Sequence, residues 1–267
     1  MSFRNSLANF NVLRKWFFPL LRRLDFPIKI EHDLTGRKFH LMSWMHKGYW
    51  YYGAKREEQE IDAFRAYIDE GYAVLEVGAH IGYLSQFFEH LIGPKGRLIA
   101  AEPTPFSRQF LNKNVKSSTI VLPVALSDNV GEVEFFMEEL GGFTNSIERE
   151  FTQTSSLDLL KTQSAPRARI ESVKVLTSTI DILCKTNDFH PDFIKIDVEG
   201  AELRVLKGAE TVLQKLNALM VEVSLNHSEV YDKLRGFGFT PYDSSGRTIN
   251  VGNVQGGNIF FVRQPTI

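Results

Sequence analysis

Residues 74–83 read VLEVGAHIGY, and this stretch decides the fold class. An apolar strand carrying Glu76 ends here, Gly78 and Gly82 follow at a Gly-x-x-x-Gly spacing, and an apolar helix begins at Tyr83. Such a strand–loop–helix unit is typical of nucleotide-type sites, because glycine permits a tight turn and a close approach. The spacing is not the Gly-x-Gly-x-x-Gly of dinucleotide-binding proteins, so a ligand without phosphates is favoured over a pyrophosphate. A βα turn without any ligand is the alternative.

The chain after residue 57 alternates short apolar strands with helices. We predict strands at residues 73–77, 97–101, 120–124, 193–196, 219–223 and 258–262, and helices at residues 83–91, 105–115, 178–184, 201–216 and 228–237. Residues 133–137 are predicted as an extra strand, and the polar stretch 139–173 as irregular. This alternation indicates a mostly parallel sheet with helices on both faces.

Two further strands end in acidic residues. Glu102 follows strand 97–101 about 20 residues after Gly82, the position where a carboxylate accepts the hydroxyl groups of a ribose. The sequence FIKIDVEGAEL, residues 193–203, brings Asp197 and Glu199 to the carboxyl edge of the sheet, where open α/β sheets bind ligands. Lys195 shares a strand face with Asp197, and burial would require a carboxylate partner, either Asp197 or Glu222. The alternatives without a ligand are that Glu102 is only an acidic residue at the end of a strand, and that Lys195 and its carboxylate partner form an internal ion pair that stabilises the sheet.

The composition excludes several classes of protein. The 267 residues are 43% hydrophobic and 24% charged, as in globular proteins that are soluble. The 31 basic and 32 acidic residues give a formal charge of −1, so no global positive charge points to nucleic acid. The single cysteine, Cys184, excludes a disulfide framework and a cysteine-based zinc cage, and no metal site is predicted. No apolar run has the ~20 residues of a membrane-spanning helix, and a cytoplasmic location is expected.

The first 56 residues are predicted as an extension of a main domain that covers residues 57–267. Residues 7–24 have apolar side chains at helical spacing with basic residues between them. The pattern predicts an amphipathic helix that either packs on the main domain or makes peripheral contact with a membrane surface. Short strands are predicted at residues 28–30 and 39–41, followed by an aromatic cluster.

These segments, together with Ala125-Leu126-Ser127-Asp128, resemble the FkbM family of S-adenosylmethionine-dependent methyltransferases. The resemblance covers roughly residues 58–262 and implies a Rossmann-like sheet of seven strands. It also implies that the last strand, residues 258–262, is antiparallel and that an edge strand lies near residues 240–243. The chain departs from the family pattern at Glu76 and His80, where members often have Asp and Asn.

The resemblance implies how the site is built. The loop from Gly78 to Gly82 is expected to wrap the methionine part of S-adenosylmethionine, with Glu76 near its ammonium group, and Glu102 to hold the ribose. The expected cofactor-binding residues are Glu76, Gly78, His80, Gly82, Tyr83, Glu102, Pro103, Ala125, Leu126, Ser127 and Asp197. Residues 141–146 resemble the family's loop near the methyl acceptor.

Asp197, Glu199 and His227 lie at the carboxyl edge of the predicted sheet and are the candidate catalytic residues. Burial is expected to raise the pKa of Asp197 and suit it to act as a general base, unless Lys195 pairs with it. Glu199 is expected in the first turn of the next helix, where the helix dipole makes it a poorer base.

The expected function is O-methylation of a hydroxyl group on a glycan or a small-molecule natural product. One alternative, a nicotinamide-dependent oxidoreductase, would need the phosphate-binding glycine spacing that is missing here. The other, a non-catalytic cofactor-binding module, would leave the carboxyl edge without reactive side chains. The sequence does not indicate the acceptor or the oligomeric state.

Overall fold

The computed structural model describes residues 23–53, 58–138, 145–148, 152, 170–250 and 256–263. These residues fall into two compact units that divide after Glu58. The amphipathic helix predicted at residues 7–24 lies outside the described residues, apart from Arg23 and Leu24, which are helical. No helix in the described part of the chain has the length and apolar character needed to cross a membrane.

An antiparallel strand pair forms the N-terminal unit. Strand β1 (Pro27–Glu31) pairs with β2 (Lys38–Met42), and the short helix α1 (Lys47–Tyr51) follows. Alternate residues of β2 are buried, and the Phe39 ring lies 5.9 Å from that of Tyr49. Both strands predicted for this segment are therefore confirmed.

The second unit alternates helices and strands along the chain. In order its elements are α2 (Glu58–Tyr67), β3 (Ala73–Val77), α3 (Tyr83–Leu91), β4 (Arg97–Ala101), α4 (Pro105–Asn114), β5 (Ile120–Leu122), β6 (Ala125–Leu126), β7 (Gly131–Glu138), β8 (Ile170–Ser178), α5 (Ile180–Thr186), β9 (Phe193–Ile196), α6 (Glu202–Lys207), α7 (Glu210–Leu213), β10 (Ala218–Val223), α8 (His227–Gly236), β11 (Phe239–Tyr242) and β12 (Gly257–Arg263).

Seven of these strands form one sheet in the order β11-β12-β10-β9-β3-β4-β5. The five strands from β10 to β5 are parallel, and β12 runs antiparallel to both of its neighbours. β3 and β9 lie at the centre and are apolar almost throughout, because helices cover both of their faces. The predicted seven-stranded sheet, its antiparallel last strand and its edge strand are all confirmed.

A second sheet of three strands has the order β6-β8-β7. The prediction of an irregular segment at residues 139–173 is wrong at its end, since β8 begins at Ile170 and pairs antiparallel with β7. In β8 only Val175 and Thr177 are buried, and exposed polar residues alternate irregularly with apolar ones along the strand, so its apolar periodicity is weak. Pairing with β7, rather than a local pattern, stabilises this strand.

The predicted helix at residues 201–216 is wrong, because two short helices, α6 and α7, replace it. Gly208 lies between them, and a Cβ atom there would be only 2.1 Å from the carbonyl oxygen of Ser127. The carboxylate of Asp181 accepts hydrogen bonds from the main-chain nitrogens of Thr211 and Val212, both at 2.9 Å, in the first turn of α7. A close backbone contact and a new N-terminal cap therefore divide the segment.

Candidate active site

The loop between β3 and α3 lies at the carboxyl edge of the sheet. Gly78, His80 and Gly82 all have positive φ angles, +82°, +50° and +85°. A Cβ atom at Gly78 would lie 1.8 Å from the carbonyl oxygen of Asp197, and one at Gly82 would lie 2.7 Å from Cδ1 of Leu111. Both glycines are thus required by backbone conformation and by close packing against neighbouring elements.

Glu102 follows β4 and holds this loop. Its Oε2 accepts a hydrogen bond from the main-chain nitrogen of His80 at 2.9 Å. Its Oε1 accepts two from Thr104, one from the main-chain nitrogen at 2.8 Å and one from the hydroxyl group. Burial raises the pKa of Glu102, while the hydrogen bonds from Thr104 and His80 oppose that rise. The carboxylate is therefore part of the loop's framework as well as a candidate ligand.

The capacity of Glu102 for a ribose can be counted. An ionised carboxylate has about four acceptor positions, and the described residues use three of them. This count leaves one acceptor position for a further hydroxyl group, and a second if the Thr104 hydroxyl turns away. Glu102 therefore remains a candidate ligand for a ribose, and binding two hydroxyl groups would require the Thr104 hydroxyl to move.

Glu76 lies beneath the loop rather than at its surface, with only 1% of the residue exposed. Its Oε2 accepts a hydrogen bond from the Ser85 hydroxyl at 2.5 Å, and in the sheet register Glu76 is the direct neighbour of Lys195. Tyr83, the first residue of α3, is also buried. These two predicted cofactor residues therefore support the floor of the site.

Three of the predicted cofactor-binding residues, Ala125, Leu126 and Ser127, lie in or directly after a strand of the smaller sheet. Ala125 and Leu126 form β6, and Ser127 is fully buried and donates a hydrogen bond to Asp128. Arg204 of α6 lies 3.1 Å from Asp128, and although burial opposes it, this pairing lowers the pKa of the Asp128 carboxyl. The carbonyl of Pro103, which follows Glu102, accepts a hydrogen bond from Arg108 at 2.6 Å. Asp128, the residue after Ser127, is thus paired with Arg204.

Lys195 and Asp197 form an ion pair, one of the two pairings that the sequence leaves open. The Lys195 Nζ atom lies 3.0 Å from Oδ2 of Asp197 and donates a hydrogen bond to the Gly78 carbonyl, also at 3.0 Å. Burial alone would lower the pKa of Lys195, but the charges of Asp197 and Glu76 raise it further than burial lowers it. Lys195 therefore stays charged and ties the glycine loop to the acidic edge.

Because Lys195 pairs with Asp197, the rise in the pKa of Asp197 that burial alone would cause does not occur. Burial acts in that direction, but the Lys195 charge and hydrogen bonds from Glu222 and Lys195 outweigh it, and the pKa of Asp197 is lowered. The Asp197 carboxylate, at the carboxyl edge of the sheet, is therefore ionised.

Glu222 of β10, expected from the sequence only as a possible partner of Lys195, is a further candidate functional residue at this edge. Its side chain is hydrogen-bonded to Asp197, and repulsion from Asp197 together with burial raises the pKa of Glu222 to about 10. Carboxylate oxygens of Asp197, Glu199 and Glu222 all lie within 4.8 Å of one another. The available signal was a single acidic residue in the otherwise apolar strand ALMVEV.

Glu199 is expected in the first turn of the next helix, but the structure places it before that helix. It has a φ of +55° and lies in a turn with Gly200, whereas α6 begins only at Glu202. Glu202 is fully buried there, and its Oε1 accepts a hydrogen bond from the Gly200 nitrogen at 2.7 Å. The acid in the first helical turn is therefore Glu202, and Glu199 stands before it, beside Asp197.

Glu202 makes the stability of the protein pH-dependent. Burial raises its pKa from 4.5 to about 7, so between these values the folded protein holds a proton that the unfolded chain has lost. Stability is therefore lost as the pH rises through this window. We expect the free energy of unfolding of wild type, relative to Glu202→Gln, to fall by about 2 kcal/mol from pH 5 to pH 8. Urea titrations at both pH values measure it, and a pH-independent difference would contradict it.

The two histidines predicted at the site occupy different positions. His80 contributes its main-chain nitrogen to Glu102. His227 is the first residue of α8, and its Nε2 lies 3.3 Å from the Ser224 carbonyl. A Cβ atom at Gly256 would lie 3.0 Å from the His227 ring, so a glycine there leaves space for the imidazole. His227 is thus oriented by its own turn at the edge of β10.

Of the predicted acceptor loop at residues 141–146, only Asn145 and Ser146 are among the described residues. Ser146 exchanges two main-chain hydrogen bonds with Phe136 of β7, and its hydroxyl lies 3.5 Å from the Val198 carbonyl. Ser146 therefore lies beside the turn that follows Asp197.

The fold is that of a Rossmann-like α/β protein, and the candidate site lies at the carboxyl edge of its sheet. The chain matches the methyltransferase FkbM domain over residues 76–241, more than half of its length. It belongs to the FkbM methyltransferase family. The predicted family is thus confirmed, and with it the choice of S-adenosylmethionine as cofactor.

Individual relatives are more distant. The hexuronic acid methyltransferase AglP of Haloferax volcanii is 28% identical over 171 residues, which span 61% of this chain and 62% of that protein. The structure of precorrin-6y C5,15-methyltransferase from Geobacter metallireducens matches with a TM-score of 0.43 and 13% identity over 79% of this chain and 88% of that one. A SAM-dependent O-methyltransferase from Thermotoga maritima matches with a TM-score of 0.43 and 11% identity, over 79% and 66%.

Proposed function

We propose that this protein is an S-adenosylmethionine-dependent methyltransferase that methylates a hydroxyl oxygen of a glycan or a small-molecule natural product. One observation carries the proposal. The loop from Gly78 to Gly82 is held by Glu102 through the His80 nitrogen and by Lys195 through the Gly78 carbonyl, and the same Lys195 pairs with Asp197. The loop from Gly78 to Gly82 and Asp197 at the carboxyl edge of the sheet are therefore connected through Lys195.

Methyl transfer requires only a few further contributions from the protein. S-adenosylmethionine, when bound, supplies a methyl group already activated by a sulfonium. The chain must align the acceptor oxygen and remove its proton. Asp197, ionised and 31% exposed, can accept that proton at the edge of the site. Glu102 and the glycine loop hold the nucleoside side, and Glu199 and His227 flank the position of the acceptor.

A glycan is the favoured class of acceptor because AglP, the relative matched over 61% of this chain, is by its name a methyltransferase of a hexuronic acid. Incubating the protein with methyl-labelled cofactor and a panel of glycans, glycolipids and small hydroxylated compounds tests the proposal. Label on a hydroxyl oxygen supports it. Binding of the cofactor with no transfer to any hydroxyl in the panel, but transfer to nitrogen or carbon, would contradict it.

Glu102 provides a test of the cofactor site that needs no acceptor. Loss of charge-assisted hydrogen bonds costs about 1.5–3 kcal/mol each, so Glu102→Ala should weaken binding of S-adenosylhomocysteine at least about tenfold. Calorimetry measures the affinity, with the exposed Glu132→Ala as control and NAD as the non-binding ligand. Unchanged affinity in Glu102→Ala would reduce Glu102 to a strand-end acid, and tight NAD binding without any response to the methyl donor would refute the cofactor.

Glu102→Gln should weaken binding as much as Glu102→Ala does, although an amide still accepts a hydrogen bond. Main-chain N–H groups donate to both carboxylate oxygens, that of Thr104 to Oε1 and that of His80 to Oε2. A glutamine amide would therefore point its NH₂ group at another donor and displace the loop.

A further inference from the structure

Asp197 and Glu222 follow paired positions of the neighbouring strands β9 and β10, and their carboxylate oxygens lie within 4.8 Å of each other, although both are acids. Two ionised carboxylates can only accept, so a hydrogen bond between them requires a proton on one of them. Glu199 adds a third carboxylate, with oxygens of all three within 4.8 Å. Crowded carboxylates of this kind cannot all be ionised unless their repulsion is offset.

We propose that Glu222 carries this proton and donates it to Asp197, so that the pair holds a single negative charge and Glu222 acts as a positioning residue for the base. The inference rests on the proposed function for its catalytic meaning. The protonation of Glu222 itself is a property of the folded protein and can be measured without any acceptor.

The surroundings decide which of the two acids is protonated. Lys195 lies against Asp197, 3.0 Å from Oδ2, and its charge stabilises the ionised form there. Glu222 instead faces two acids, Asp197 and Glu199, whose charges add to burial in raising its pKa, and Lys195 opposes them less strongly. The neighbouring antiparallel strand β12 places the uncharged Asn258 beside Glu222.

Other elements around the pair do not reverse this order. Glu76 of β3 lies on the far side of Lys195 and helps to keep that lysine charged. His80 acts on Asp197 by lowering its pKa. The charge of Asp197 also contributes to the rise in the pKa of Glu202 on α6. Each of these groups favours an ionised Asp197 or is affected by one.

The arrangement matters for the reaction because it orients Asp197. Glu222 and Lys195 each engage the Asp197 carboxylate, so it is held by a donor from β10 and a donor from β9. As the acceptor oxygen forms its bond to the methyl group, the bond from that methyl group to the sulfonium sulfur breaks, its electron pair stays on the sulfur, and the proton of the acceptor O–H bond passes to Asp197. Glu222 keeps its own proton throughout and needs only to donate.

Carbon-13 NMR of the full chain, labelled at the glutamate side-chain carboxyl and bound to S-adenosylhomocysteine, tests the inference directly. We expect one glutamate signal, absent in Glu222→Gln, that is a neutral carboxyl at pH 7 and titrates near pH 10. An ionised Glu222 at pH 7 would overturn the proposal. A Glu222 signal that becomes ionised on addition of Mg²⁺ would overturn it as well, because a cation rather than the proton would then offset the repulsion.

Turnover provides the second readout. Glutamine mimics a protonated glutamate, so Glu222→Gln should keep kcat within about threefold, whereas Glu222→Leu should lower it at least about tenfold at unchanged affinity for S-adenosylhomocysteine. The loss of activity of wild type above about pH 10 should be missing in Glu222→Gln, and the exposed Glu229→Gln serves as control. Equal losses in the Gln and Leu variants would contradict the positioning role. If no hydroxyl is methylated at all, the proposed function fails while the NMR titration still decides the state of Glu222.

Discussion

Asp197→Asn should lower the rate of methyl transfer by about 10²–10⁴-fold while affinity for S-adenosylhomocysteine changes by no more than about threefold. Asparagine has the shape of aspartate and still accepts a hydrogen bond from Lys195, but it cannot take up the proton of an acceptor hydroxyl group. This factor is the usual contribution of a general base, and the lowered pKa of Asp197, which Lys195 keeps ionised, places the expected loss toward the lower end of the range. A side chain needed only for folding would not separate rate from affinity in this way.

Single-turnover methyl transfer with a confirmed acceptor measures this rate, and calorimetry measures the affinity. Asp232→Asn is a suitable control, because Asp232 is an exposed aspartate that pairs with Arg235 on α8. Near-normal turnover in Asp197→Asn would move the role of base to Glu199 or His227, or leave the site with alignment of the acceptor alone. A large loss of cofactor affinity instead would assign Asp197 to cofactor binding, which the sequence also predicted.

The parts of the fold that the sequence predicts correctly have local causes. β3, α3, β4 and β9 begin and end where the apolar runs and glycines place them. The glycine loop follows from positive φ angles that only a few residue types adopt easily. In contrast, β8 is stabilised by pairing with β7, and Gly208 breaks a helical pattern through contact with Ser127, which is distant in sequence. Neither cause is visible in a short stretch of sequence.

The candidate site divides in the same way. Glu102 and Asp197 were predicted because an acid at a strand end is a local pattern. The pairing of Glu222 with Asp197 depends on β10 lying next to β9, with Val221 beside Ile196 in the register, so the next residue of each strand meets the other. The pKa of Asp197 was expected to rise because burial can be anticipated from apolar neighbours, whereas the choice of partner by Lys195 cannot. Contacts between neighbouring strands therefore determine the pKa values of Asp197 and Glu222, and such contacts are not evident from a single stretch of sequence.

Lys195→Met should be the most destabilising single change at the site, with a loss of about 3 kcal/mol in the free energy of unfolding. Methionine has a similar length and no charge, so Asp197 loses its counter-ion and the Gly78 carbonyl loses its donor. Removing one partner of a buried pair costs about 3–5 kcal/mol, and the 31% exposure of Asp197 lets water relieve part of that.

Denaturant titration of wild type, Lys195→Met, Asp197→Asn and the double variant separates the ion pair from simple packing. If the cost comes from an uncompensated Asp197, the double variant should be less destabilised than the sum of the single variants by at least about 1 kcal/mol. Lys233→Met is the matched control. Its ion pair with Glu210 is shorter, at 2.7 Å, but Glu210 is 61% exposed, so its loss should cost no more than about 1 kcal/mol. Additive effects of Lys195→Met and Asp197→Asn, or a loss no larger than that of Lys233→Met, would show that Lys195 acts by filling space and not by holding the acidic edge to the glycine loop.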